Sequence, residues 1–149
     1  MSSRSSTRWW KRLSRTDAQQ PTKGFPVAYL RLTQNRGALD PRRWFKNVLF
    51  AGAEWRPDTF GRHDVESATV VFRVQDGATD LGDHALLLTH DDTRPANNGT
   101  PATWIHWGDD LAAYLRENSR QGWFVIVERT GTQLTLRLTE ERPGWRPGA

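Results

Sequence analysis

Ala68-Thr69-Val70-Val71-Phe72-Arg73-Val74 is rich in β-branched and aromatic residues and closes on Gln75-Asp76-Gly77. β-branched side chains suit a pleated, half-buried surface, and Asp-Gly is a hairpin turn pair, so this stretch reads as a core strand entering a hairpin. Residues 86–90 supply a following strand. Residues 91–101 hold Asp-Asp, two prolines and Asn-Asn-Gly, a density of turn formers that predicts a long exposed loop. Extended structure resumes over residues 103–107.

Beyond that point Asp109-Asp110 puts two acids at the start of a segment with Leu111, Tyr114 and Leu115 at spacings of three and four. That is an amphipathic helix whose positive end is met by carboxylates, stopping near Asn118. Residues 124–127, the turn Arg129-Thr130-Gly131-Thr132, and Leu134, Leu136 and Leu138 at period two predict a terminal hairpin. Toward the N-terminus, residues 25–32 alternate before the turn signal Gln34-Asn35-Arg36-Gly37. Asp40-Pro41 marks a short helical turn over residues 41–45, with residues 48–50 expected as a strand or strand end. Together these elements predict a mainly β, α+β fold with one or two helices, arranged as a small open β-barrel or antiparallel sheet.

The domain expectation is one folded unit over residues 25–140. Residues 1–24, polar and arginine-rich, read as a disordered basic tail, and residues 141–149 as a flexible C-terminal one. Eight Trp, six Phe and two Tyr bury enough area for a modest core in a chain of 149 residues. The chain has no cysteine, which fits a reducing compartment, and no apolar run near the roughly 20 residues of a membrane span. The expectation is a cytoplasmic protein with no membrane association.

Charge is distributed unevenly. The first 56 residues carry 12 Lys+Arg against 3 Asp+Glu, and the remaining 93 carry 9 against 14. A positive field confined to one end implies a polyanionic partner, with nucleic acid first. Of the 21 basic residues 18 are arginine, whose planar fork grips a phosphate or a guanine edge with two hydrogen bonds. Arg31, Arg36, Arg42, Arg43 and Lys46 fall close together, broken by Gln34-Asn35, both able to pair with adenine. A second set, Arg94, Asn97 and Asn98, lies in the long loop. Catalytic patterns are weak by comparison. His63, His84, His90 and His106 lack the close spacing of metal ligands. Asp91-Asp92 beside His90 could hold magnesium, yet no lysine stands near them in sequence. No nucleophile elbow or phosphate loop occurs. No cofactor, metal site or catalytic residue is expected.

At these same places the chain resembles the N-terminal, effector-DNA-binding domain of the EcoRII restriction endonuclease family, which has a DNA-binding pseudobarrel fold. The residues that carry the resemblance are Val27-Ala28-Tyr29-Leu30-Arg31-Leu32-Thr33-Gln34-Asn35-Arg36-Gly37, Glu66-Ser67-Ala68-Thr69-Val70-Val71-Phe72 and Arg94-Pro95-Ala96-Asn97-Asn98-Gly99-Thr100. The resemblance implies a barrel with two arms in the major groove, reading double-stranded DNA without cutting it. The family's nuclease is a separate domain, so catalysis would need a nuclease or other effector protein as partner. The expected arms are Arg31, Gln34, Asn35 and Arg36 in one and Arg94, Asn97 and Asn98 in the other, with Arg42, Arg43 and Lys46 on phosphates. Two other classes remain: a protein-interaction module anchored by exposed Trp55 and Trp145, and a metal-dependent nuclease using Asp91 and Asp92.

Overall fold

A computed structural model of the chain describes residues 6–20, 28–32, 40, 43–60, 63–92 and 101–146. Its strands are β1 (Ser6–Arg12), β2 (Tyr29–Leu32), β3 (Arg56–Phe60), β4 (His63–Asp76), β5 (Thr79–Asp91), β6 (Ala102–His106), β7 (Phe124–Thr130) and β8 (Gln133–Thr139), with one α-helix, α1 (Gly108–Glu117), between β6 and β7. They form a single sheet in the order β1-β7-β8-β4-β5-β6-β2, with β3 also paired to β4. The sheet curls into an open half-barrel. The long strand expected at Ala68 to Val74 is its spine. β4 pairs antiparallel with β5 from Glu66 to Asp76, parallel with β8 from Phe72 to Asp76, and antiparallel with β3 at its start. Gly77, at φ 58°, makes the tight turn into β5, where a side chain would be strained.

The core explains the curl. Phe72, Val74, Leu86, Leu88, Val125, Val127, Leu134, Leu136 and Leu138 alternate with outward residues and are all buried, so the concave faces of successive strands meet around one apolar volume. Leu111, Ala112 and Leu115 of α1 cover part of it. The two end strands of the sheet, β1 and β2, are joined by a side chain: Lys11 Nζ donates to the Arg31 carbonyl at 2.9 Å and lies 3.0 Å from Asp17 Oδ2.

The terminal hairpin, its turn and α1 stand where the sequence places them. Three expectations are corrected. First, residues 6–20 of the presumed disordered tail belong to the fold. β1 pairs with β7 along its whole length, and Trp9, Leu13 and Ala18 are buried in the core. Trp9 and Leu13 share one face of an extended chain, and that face carries the apolar area that an averaged basic composition hides. Residues 1–5 and 21–24 of that tail lie outside the described residues. Second, residues 48–50 are not a strand. Trp44–Leu49 form a short π-helix, widened so that the Phe50 amide donates to the Phe45 carbonyl at 2.9 Å. Phe45 and Leu49 are both buried in the core, with Trp9 and Phe45 in edge contact at 5.9 Å. Third, the C-terminal segment packs on the domain as far as Trp145: the Trp10 indole donates to the Trp145 carbonyl at 2.6 Å.

Candidate nucleic-acid interface

β2 runs antiparallel to β6, with Leu32 opposite Thr103, and β6 runs antiparallel to β5, with Ala102 opposite Asp91. The end of β2, the start of β6 and the end of β5 therefore lie side by side on one rim of the sheet. Adjacent strands are about 4.8 Å apart, so the three ends span roughly 10 Å. The segment that holds Gln34, Asn35 and Arg36 leaves from the first of these ends. The segment that holds Arg94, Asn97 and Asn98 joins the other two. All six residues, with Arg42, lie outside the described residues, but their roots are fixed and adjacent.

Buried polar contacts hold those roots. His90 is 1% exposed; its Nδ1 is 2.7 Å from Thr103 Oγ1 and its Nε2 2.5 Å from Asp92 Oδ1. With both ring nitrogens engaged, the imidazole ties β5 to β6 and pins the start of the loop. Neither nitrogen is free to ligate a metal while these contacts hold. The Trp55 ring packs edge-on against His90 at 6.3 Å. Beside the rim, Thr89 Oγ1 lies 2.9 Å from His106 Nε2, and burial holds the His106 imidazolium pKa below its usual value. Tyr29 and Phe60 lie against His106 in tilted and edge ring contacts, and both also touch Trp104.

Of the expected DNA-contacting residues that are described, Arg31 is exposed on β2 opposite Trp104, and Arg43 is exposed at the head of the π-helix. Lys46 differs from expectation: its ammonium donates to Glu66. A cation already neutralised by a neighbouring carboxylate attracts phosphate weakly, so Lys46 is a poor phosphate anchor. The same pair shows what sequence distance hid. Lys46 reaches Glu66, and Glu66 is the register partner of His90, so a lysine does approach the cluster that lacks one in sequence. Even so, no group of three or more His, Asp or Glu suited to a metal ion occurs among the described residues.

The two tryptophans expected as partner anchors are engaged internally. Trp55 is half-buried against His90, and its indole N–H, buried, has no acceptor among the described residues. Trp145 lies under the Arg8 guanidinium at 4.1 Å. Arg129, which composition alone would assign to the surface, donates to the Val48 and Leu49 carbonyls at the end of the π-helix and to Gly131. Nothing local in sequence links residues 80 positions apart. No helix among the described residues is long and apolar enough to cross a membrane. No family model, curated protein or solved structure matches this chain.

Proposed function

We propose that the protein is a sequence-specific double-stranded DNA-recognition domain whose two arms rise from one rim of an open β-barrel. The observation that supports this reading most is the register that brings Leu32, Asp91 and Ala102 together. Two segments rich in base-reading side chains, 60 residues apart in sequence, are thereby rooted within the width of a major groove, about 12 Å. In this reading Arg31, Gln34, Asn35 and Arg36 read from one side and Arg94, Asn97 and Asn98 from the other, while Arg42 and Arg43 hold phosphates. Lys46 is reassigned to positioning Glu66.

The resemblance to the EcoRII effector-binding domain points the same way. It makes the domain a reader in restriction-modification or a related pathway, acting in the cytoplasm, with no catalysis of its own and a nuclease or other effector as its protein partner. Selection from a random duplex library tests the reading, and an enriched motif is the expected result. On that motif Arg36→Ala and Asn97→Ala each cost roughly 1–3 kcal/mol and relax specificity at separate base positions. A library that yields no motif, or arm variants that bind as well as the parent, would end the proposal.

A further inference from the structure

On the far side of the sheet, away from the core, β1, β7, β8 and β4 present an outward patch. The register sets Arg8 opposite Glu128 and Glu128 opposite Thr135; one step along, Ile126 faces Arg137, and Arg137 faces Gln75. Trp145 of the C-terminal segment closes one side, and the half-open cleft has a volume of about 250 Å³. That lies just below the size of clefts that take drug-like ligands. Its floor is the buried Ile126. Arg137 and Gln75 are exposed and have no hydrogen-bond, ion-pair or ring partner among the described residues, and Arg8 touches only the Trp145 ring. Glu128 accepts from Ser6 Oγ at 2.7 Å through one oxygen, leaving the other open.

Structural needs do not explain this arrangement. Arg8 stacks on Trp145 and stands beside Glu128 in the register, but neither it nor Arg137 is in an ion pair among the described residues, and a phosphate would accept from both forks. An indole and an isoleucine offer a flat apolar bed to an aromatic ring, and a free carboxylate oxygen accepts from a ring amino group as carboxylates do from cytosine. We infer that this pocket binds a single nucleoside monophosphate unit whose base carries an exocyclic amino group, with Arg8 and Arg137 on the phosphate, Glu128 on the amino group and Trp145 and Ile126 against the ring. The unit is either a free nucleotide or one nucleotide of a strand. This inference is independent of the reading of the rim.

Titrating the full chain with dCMP at low salt, by calorimetry, tests it. One saturable site is expected, with affinity lowered about tenfold in Arg137→Ala, the usual loss for a charged hydrogen bond. dTMP, lacking the amino group, binds more weakly than dCMP, and inorganic phosphate more weakly still. The Arg137 side chain has no hydrogen-bond or ion-pair partner among the described residues, so the variant is expected to melt close to the parent. A single-stranded oligonucleotide of dC identifies the source: tighter binding than dCMP with the same Arg137 dependence means a strand, and no gain means a free nucleotide. Equal affinity in Arg137→Ala and the parent, phosphate binding as tight as dCMP, or no dCMP binding would overturn the inference. Duplex binding at the rim is measured on the same variant. Its retention while dCMP binding is lost keeps the two readings apart.

Discussion

Asp76 ends β4 with 5% of its surface exposed, and its two oxygens are fully used. Arg120 donates to them from Nε at 2.9 Å and from Nη2 at 2.6 Å, Tyr114 donates from its hydroxyl, and the Arg120 guanidinium lies over Trp123 at 4.3 Å. Burial alone would raise the carboxyl pKa, but the bonds from Arg120 and Tyr114 outweigh it and hold the pKa below its ordinary value. In the unfolded chain Asp76 takes up its proton first as pH falls. The pair therefore stabilises the fold fully above about pH 4, and that contribution is lost as pH drops through the lower folded value. Arg120→Ala is expected to cost about 3 kcal/mol near neutrality, because it strands a buried carboxylate. Denaturant titrations repeated at lower pH check this: the difference from the parent shrinks as pH falls from the raised folded pKa of Asp76 in the variant toward the lowered one in the parent. A cost that does not change with pH would place the loss in the packing on Trp123 instead. The sequence shows Asp76 only as a turn residue, since its partner stands 44 positions later and leaves no local trace.

The elements legible in sequence are those whose burial is written locally. Leu134, Leu136 and Leu138 declare their inward face by period two, and α1 declares its start by Asp109 and Asp110. β1 does not, since Arg8, Lys11 and Arg12 dominate it and only Trp9 carries its apolar side into the barrel, while its ladder partner β7 lies more than a hundred residues away. β3 is hidden in a similar way: Arg56, Pro57 and Asp58 are exposed, so no apolar period marks the strand. The π-helix is illegible for a different reason: Phe45 and Leu49, four apart, share a face in an α-turn as well as in the wider one, so apolar spacing does not specify the turn. β1 carries the clearest consequence. Trp9→Ala removes a fully buried indole, and the cavity left behind costs about 3–5 kcal/mol. Removing residues 1–13 also exposes the edge of β7, and the shortened chain is expected to lose its cooperative thermal transition, read by near-ultraviolet circular dichroism. A tail of the kind its composition suggests could be removed without effect.

At the scale of the whole molecule, the candidate site was half visible. The two arm segments stand out by their turn formers and base-reading side chains, but that they share a rim depends on the β2-β6-β5 register, which no single segment encodes. The charge asymmetry also changes meaning once folded. The 12 basic residues of the first 56 do not act as one cloud. Lys11 is held by Asp17 and Lys46 by Glu66, while Arg8 lies on Trp145 across the sheet from the core. In the proposed reading the cations offered to a duplex are Arg31, Arg36, Arg42, Arg43 and Arg94. Each phosphate neutralised contributes about −0.9 to the slope of log affinity against log salt, so Arg42 and Arg43 alone predict about −1.8, and all five about −4.5 if each also lies on a phosphate. Binding isotherms on one duplex between about 50 and 200 mM salt measure this directly. Arg31→Ala should reduce the steepness by about one if it holds a phosphate. A slope near −8 would bring the β1 arginines onto the backbone and turn the duplex across the barrel seam. A response near zero would remove the polyanion altogether, because an interface built from unpaired guanidinium groups cannot bind DNA without releasing its counterions.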